Sequence, residues 1–499
     1  MMIRTQTGAD TPRVRLINYL AYGSNDVLGA GSMVILAGWV LLFYTRFCGL
    51  TPAQAAIIFG IARVIDAVAS PLIGHISDNF RRTRLGRRLG RRRIFILAAI
   101  PLLPSFALVW LPNQTFLYYL VSYVFFELVY AMEIIPYETL AAEMSPSYTI
   151  RAKFAGSRLL FGQASAILAG FAPVWLISYL GRDSADTFLW MGIIFTVLFM
   201  TAATFVYLFT WERPVTDVER RGDHDQPKRN MIGIVYRDLR ATLKVRAFRL
   251  HLGMYLGGYL SQDVFNALFT FFVIFALSGS TVRASAMMGW MYVVQLFAVA
   301  GAIHLTLRRA PAQVYRLAAA FFASGLVLLI GIWIFDISPT NPLIWVAVIF
   351  AGLGRGALNY VPWATYNYMP DVDEIMTGKR REGSFAGVMT FVRKASQAIA
   401  VSAVGMVMQV TGFNPKLNSQ SIASVHALIL MFAVSVLAIL GLGVWVSFKF
   451  RLDKVNHSVL TREIEHLRSG NAEASSSEAM AVVEDLSGVN YSKLWGKAS

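Results

Sequence analysis

Twelve stretches of this chain are each long and apolar enough to cross a lipid bilayer, and that leaves few folds open to it. The hydrocarbon core of a bilayer asks for about 20 consecutive apolar residues in a helix, within roughly 17–25. Such segments occupy approximately residues 17–44, 53–76, 94–111, 116–143, 156–180, 188–211, 250–277, 284–306, 315–336, 342–367, 384–411 and 425–448. Inside lipid every backbone N–H and C=O must be satisfied within the segment, so each is read as a helix and the fold class as all-α. Of 499 residues 56% are hydrophobic and 15% charged, with a mean hydropathy of +0.53. An ordinary soluble domain carries about 25% charge, so lipid is the environment the composition fits. The opening Met1–Arg15 is polar and the first apolar segment is too long for a cleavable signal, so no signal peptide is expected. One cysteine, Cys48, excludes an intrachain disulfide.

A net charge of +16 raises the question of nucleic acid, and the placement of the charges answers it. With the amino terminus assigned to the cytoplasm, 36 of the 45 Lys and Arg residues fall in cytoplasmic pieces, 4 at the outer ends and 5 within helices. Basic residues concentrate on the cytoplasmic side of membrane proteins, so the asymmetry is a topology signal that puts both termini in the cytoplasm. No nucleic-acid partner is expected.

Six segments lie on each side of the polar stretch Glu212–Arg249. The expected organisation is a bundle at 1–211, a cytoplasmic loop at 212–249, a second bundle at 250–448 and a cytoplasmic tail at 449–499. Segment 1 carries Ala21-Tyr-Gly-Ser-Asn-Asp26-Val27 and segment 7 carries Gly258-Tyr-Leu-Ser-Gln-Asp263-Val264. Pro136-Tyr137 in segment 4 is echoed by Pro362-Trp363 in segment 10. Two echoes in the same order predict related halves, the plan of transporters in which one half rocks against the other around a midplane site. In the tail, Ser458–Arg468 reads as an amphipathic helix and Asn471–Ala479 as disordered low-complexity sequence.

An ionised side chain at the bilayer centre costs about 2.5–3.5 kcal/mol on insertion scales, so those present must turn inward and pair or be hydrated. Asp26, Asp66, Glu127, Glu133 and Asp263 occupy such positions, with Glu138 nearer the cytoplasmic end. Arg63, Arg158, Arg355, Arg393 and Lys394 are the cations that can answer them. Arg63 and Asp66 stand three residues apart, on one helix face. Two readings stay open for this pair: a structural salt bridge, or a carboxylate whose pairing changes with a bound proton or cation. Arg393 and Lys394 are adjacent, about 100° apart around a helix, so both cannot face the same way. Intramembrane aromatics such as Tyr22, Tyr130, Tyr137, Tyr360 and Trp363 suit the apolar face of a sugar ring and serve equally as packing.

The run Tyr22-Gly-Ser-Asn-Asp26 is followed by Leu42-Phe-Tyr44-Thr and Gly49-Leu-Thr-Pro-Ala53. Segment 2 continues as Ala62-Arg-Val-Ile-Asp66-Ala-Val-Ala-Ser70-Pro71 and Gly74-His-Ile-Ser-Asp78. The second half adds Asp371-Val-Asp373-Glu and Thr377-Gly-Lys-Arg-Arg-Glu-Gly383. With these motifs, over roughly residues 15–460, the chain closely resembles the glycoside–pentoside–hexuronide:cation symporters, the family of melibiose permease. The resemblance implies a major facilitator fold with 12 transmembrane helices in two pseudo-symmetric six-helix bundles. It implies a monomer of a bacterial inner membrane that takes up a small-molecule sugar with a cation by alternating access, without a cofactor and without enzyme activity. By the same resemblance Asp26 is the sugar-binding aspartate of segment 1, and Tyr130 and Arg158 are site residues of segments 4 and 5. Asp66 becomes the main cation-site carboxylate and Lys394 the lysine beside it.

Departures from the family pattern sharpen the expectation. Sodium-using members carry Asn and Asp immediately before the segment 2 proline, where this chain has Ala69 and Ser70. Sodium is a hard ion that needs several oxygen ligands, so proton coupling at Asp66, with Arg63 and Ser70 beside it, is expected over sodium. The family's sugar-binding Asp of segment 4 is Ile134 here, with Glu133 adjacent, and its Trp is Glu138. The expected pocket is therefore rebuilt from Asp26, Tyr130, Glu133, Glu138, Arg158 and Trp363, and melibiose is not the expected cargo. The Leu85–Arg93 loop and Tyr137–Met144 are most similar to the branch that imports oligogalacturonides, the oligouronides of pectin. Arg158 or Arg355 offers the planar, two-pronged donor that a sugar carboxylate needs. A neutral oligosaccharide stays open, and a lysolipid-type carrier on the same scaffold is the alternative function. Asp78, Arg84, Arg380 and Arg381 are read as a cytoplasmic clamp that releases as the carrier turns, or as plain topology anchors. There is no HExxH, GxSxG or Walker A motif and no cysteine–histidine metal set.

Overall fold

The computed structural model describes residues 14–80, 83–145, 148–180, 184–212, 242–338, 340–366, 368–378, 382–414, 417, 420–471 and 473–495. All regular structure among them is helical. Nine described helices have the length and hydropathy of a membrane span: Pro52–Gly74, Phe116–Ala141, Lys153–Leu180, Ala185–Phe209, Arg246–Ala276, Thr281–Arg308, Pro311–Ile334, Leu343–Thr377 and Ile422–Lys449. The three remaining segments are helical too, each with a physical reason for standing apart. Segment 1 runs as Leu16–Ser24 and Asp26–Ile35, then widens into π-helical turns at Leu36–Val40 and Phe43–Phe47. Segment 3 starts as Arg93–Ala99 and breaks into short turns at Pro101 and Pro104, which cannot donate to the helix ladder. Segment 11, Glu382–Val410, carries Arg393, Lys394 and Gln397 in its middle.

The chain divides into two compact units, Met1–Leu36 with Ile65–Lys228 and Ala37–Val64 with Arg229–Ser499. The expected boundary after residue 211 misses one thing: the stretch 37–64 groups with the second unit. In the first unit, segment 1 lies on segment 5 through small residues. A Cβ on Gly23 would sit 2.1 Å from Ser157 Oγ, so only glycine allows this approach. Ser157 in turn donates to the Tyr19 carbonyl at 2.6 Å and Ser165 to that of Val27 at 3.2 Å. Small residues with hydroxyl cross-bonds are how membrane helices gain contact where lipid offers no hydrophobic drive.

Segments 1 and 7 end alike. Cys48 N–H bonds the Phe43 carbonyl and Leu277 N–H that of Phe272, while Leu50 bonds Tyr44 and Gly279 bonds Val273. This identical π-turn exit supports related halves. It also corrects one of the sequence echoes. Asp26 lies about five helical turns before its exit turn and Asp263 about two and a half before its own, so the two aspartates stand at different distances from equivalent turns. The match between their flanking residues is not a structural register. The Pro136 and Pro362 echo does hold, each standing 20 and 19 residues into helices that start at Phe116 and Leu343.

The tail departs from expectation as well. Asn471–Ala479 was read as disordered, whereas its described residues form a loop leading into a second tail helix, Ser477–Ser487, after the first at Lys454–Arg468. Ser476 caps the second helix by accepting from Ala479 N–H at 3.0 Å. Both tail helices pack on the short helix Met369–Thr377, where His457 meets Asp371 at 2.8 Å and Arg468 bonds Glu374.

Candidate functional site

The first unit gathers its buried charge around Asp26. Segment 1 turns at Asn25, and Asp26 begins the next stretch of helix with its carboxylate against Arg158 of segment 5, Nε to Oδ1 at 3.0 Å. Arg158 also reaches Glu138 of segment 4 at 3.3 Å and lies 5.3 Å over the Tyr137 ring. Two carboxylates thus share one guanidinium. Backbone makes room for this: a Cβ on Gly29 would lie 2.7 Å from Asp26 Oδ1, and one on Gly162 2.8 Å from Oδ2. The floor is aromatic, with Tyr22 and Tyr137 stacked at 4.7 Å and Tyr137 donating to the Tyr22 carbonyl at 2.7 Å. Tyr130 donates to the Gly29 carbonyl at 3.4 Å, on the helix turn that follows Asp26. Glu133 is fully buried and accepts from Asn25 Nδ2 at 3.0 Å.

Five residues expected in the pocket, Asp26, Tyr130, Glu133, Glu138 and Arg158, therefore share one neighbourhood. Trp363 belongs to the second unit, half exposed, with its indole N–H bonded to Tyr259 at 2.9 Å. Of the coupling set, Asp66 is buried and accepts from Ser70 Oγ at 2.9 Å, one turn along segment 2. Arg63 is buried on the same helix, 5.1 Å over the Phe59 ring.

A second cluster, in the second unit, repeats part of this design. Asp263 of segment 7 meets Arg393 of segment 11 at 2.5 Å, with Arg393 lying 5.2 Å over Tyr259. An aspartate on the first helix of a half again pairs with an arginine on its fifth. Arg355 of segment 10 differs. It is buried at 4% exposure and bonds only neutral groups: Asn266 at 2.7 Å, Gln295 at 3.3 Å and, weakly, Tyr292 at 3.5 Å. No carboxylate touches it among the described residues.

For the expected clamp the structure offers less. Arg84 is exposed on the short helix Arg84–Leu89, and the side chain of Asp78 together with Arg380 and Arg381 lies outside the described residues. The loop arginines that are held are others. Arg91 and Arg92 meet Glu143 at 2.6 and 2.7 Å. Glu212 accepts the backbone N–H groups of Arg91, Arg92 and Arg93, a carboxylate at a helix N-terminus where unsatisfied donors collect. Sequence reasoning also passed over Asn25, Gly29, Gly162, Asn266 and Gln295, none of which carries charge.

Opposed charges buried inside apolar helices are what a carrier of polar solutes needs, and known proteins point the same way. Residues 21–454 match the family described as MFS/sugar transport protein. The chain belongs to that family. It is a membrane transporter of the sugar:cation symporter type with a major facilitator fold, and not an enzyme. A symporter of Synechocystis sp. is 24% identical over 484 residues, covering 81% of this chain and 87% of that protein. The glucuronide carrier protein homolog of Escherichia coli is 23% identical over 406 residues, covering 79% and 83%. Among solved structures, a D-xylose–proton symporter superposes on the transporter with a TM-score of 0.56, covering 85% of this chain and 96% of that one at 14% identity. A nucleoside transporter does so at 0.60, covering 87% and 98% at 13% identity. At such identities the likeness concerns the fold.

Proposed function

We propose that this transporter imports a sugar acid, a uronide or oligouronide, together with a proton, across an inner membrane with both termini in the cytoplasm. The observation that carries the acidic substrate is Arg355. Among the described residues this buried cation meets amides, a phenol and the faces of Phe265 and Tyr292 but no carboxylate, and a substrate carboxylate supplies that partner in a bidentate geometry that arginine favours. The Asp26–Arg158–Glu138 cluster supplies acceptors and a donor for sugar hydroxyls over an aromatic floor. A relative named as a glucuronide carrier homolog agrees with this class of cargo.

Proton coupling is supported by what surrounds Asp66. Ser70 donates its hydroxyl to Asp66, and Ala69 and Ser70 stand where sodium-using members carry an amide and a carboxylate, which weakens an oxygen set for sodium. The positive-inside asymmetry of the basic residues supports the orientation.

A thermal-shift screen of the purified protein tests the reading, with neutral oligosaccharides, oligogalacturonides and lysolipids, each with and without sodium. A ligand at 100 times its Kd stabilises by about 2.7 kcal/mol, enough to read. Stabilisation by oligogalacturonide without need for sodium is expected. Stabilisation by neutral sugars alone removes the acidic substrate, and by lysolipid alone removes sugar transport.

A further inference from the structure

Glu133 is the most enclosed carboxyl of the first cluster, and its bonding is incomplete in an informative way. Its side chain has no exposure, and its one hydrogen bond is from Asn25 Nδ2 to Oε2 at 3.0 Å. Oε1 has no partner. Asn25 is equally enclosed, and its Oδ1 has no partner either. Two buried oxygens on the two members of one pair thus lack a donor. Each unmet group costs about 1–3 kcal/mol, more if Glu133 is charged. One proton on Glu133 Oε1 removes both deficits: it donates to Asn25 Oδ1 while Asn25 Nδ2 keeps donating to Oε2. The pair then becomes a closed acid–amide ring with two hydrogen bonds and no charge.

From this geometry we infer that Glu133 is a proton-binding site in addition to Asp66, held in the neutral form by Asn25, and that its proton is loaded and released during transport. The inference rests on the reading of the protein as a proton symporter and adds a second carboxyl to the proton's route. The charged groups that face Glu133 are Arg158 from segment 5, Asp26 from segment 1 and Glu138 on its own helix. Arg158 is engaged by the other two, and among the described residues no cation forms an ion pair with Glu133. With Glu133 neutral, Asp26, Glu138 and Arg158 together leave one excess negative charge, and ionisation makes it two. An anionic sugar enters the first state more readily than the second. Proton and substrate therefore favour each other, and the favour is reciprocal, which is the sign symport requires. On release the proton passes from Oε1 to water, and Asn25 Oδ1 loses its donor, so the ionised pair is the less settled form.

Glu133→Gln tests this, because glutamine imitates the protonated acid: its amide N–H donates to Asn25 Oδ1 and its carbonyl accepts from Nδ2. The variant is expected to keep the wild-type thermal midpoint. It is expected to lose accumulation driven by a pH gradient. Infrared spectra of the wild type near neutral pH are expected to show a carboxylic-acid carbonyl band that Glu133→Gln removes and Asn25→Ala shifts. A band untouched by Glu133→Gln means an ionised Glu133 and overturns the proposal. So does a Gln variant that unfolds, since the neutral isostere should fit. A lost band with undiminished pH-driven accumulation overturns the transport role. If the wild type itself accumulates nothing on a pH gradient, proton symport fails instead, while the infrared band still decides whether Glu133 holds a proton.

Discussion

Asp26 and Arg158 join the first and fifth membrane helices by an ion pair at 3.0 Å, and Asp263 with Arg393 joins the corresponding helices of the second half at 2.5 Å. Opposed charges within membrane helices hold those helices together and at the same time keep polar groups ready for a hydrated cargo. Removing one partner strands the other, at a cost of about 3–5 kcal/mol for a buried pair. Asp26→Asn is therefore expected to abolish substrate binding and to lower the thermal midpoint, and Arg158→Lys to fold but lose the planar fork. For the Lys variant, uptake is expected to fall about tenfold or more, the worth of one charge-assisted hydrogen bond. Radiolabelled uptake checks both, and wild-type uptake in either variant contradicts the assigned roles.

Gly162 is predicted to matter although it has no side chain. A methyl there would lie 2.8 Å from Asp26 Oδ2, whereas at Gly156, earlier on the same helix, nothing stands within 4 Å. Gly162→Ala is expected to weaken substrate affinity several-fold, and Gly156→Ala to leave it unchanged. Equal behaviour of the two variants in a binding titration would show that Asp26 has room to spare.

Arg355 carries the choice between acidic and neutral cargo. Arg355→Gln deletes the unanswered cation and keeps donors for its neutral neighbours. A charged hydrogen bond is worth about 1.5–3 kcal/mol, so affinity for an oligouronide should drop by a factor on the order of ten to a hundred. Affinity for the matching neutral oligosaccharide should be spared. Parallel loss for both ligands, measured by competition binding, would assign Arg355 to packing.

The tail gives a pH-dependent prediction outside the membrane. Burial alone would raise the pKa of Glu463, but hydrogen bonds from Ser475 and Tyr491 outweigh it and hold the carboxyl below its ordinary 4.5. A group whose folded pKa is depressed stabilises fully above its unfolded value and loses that contribution as pH falls through the folded one. The two-helix tail is thus expected to stay docked at neutral pH and to become open to limited proteolysis only in acid below about 4.5. Glu463→Ala should expose it at neutral pH. Equal protease resistance of the variant would show that the Glu463 network does not hold the tail.

Much of this was readable before any coordinates. Runs of about 20 apolar residues admit one conformation in lipid, so the membrane segments followed from hydropathy. Asp26, Arg158 and Glu138 were visible because charge inside such a run is costly and needs a partner. What escaped has a common cause: its role lies in geometry. Asn25 is neutral and becomes informative only when its orphaned oxygen is found beside Glu133. Gly29 and Gly162 act by what they leave out. Matching Tyr, Ser, Asp and Val around Asp26 and Asp263 predict related halves, yet helix ends and not short matches fix how far each aspartate stands from its exit turn. In the tail, the serines of a low-complexity run turned out to be local ligands, Ser475 for Glu463 and Ser476 for a helix cap, which composition cannot distinguish from solvation. Trp363, expected beside the sugar, bonds Tyr259 within the second unit, a partner its sequence position does not announce.

The central claim is that proton movement through buried carboxyls drives sugar-acid uptake. Proteoliposomes holding the purified transporter, loaded to sustain either a pH gradient or a sodium gradient alone, measure this directly with labelled trigalacturonate. Accumulation is expected on the pH gradient only, collapsing with a proton uncoupler and absent in Asp66→Asn and Glu133→Gln. Accumulation that follows the sodium gradient and survives the uncoupler would contradict the account.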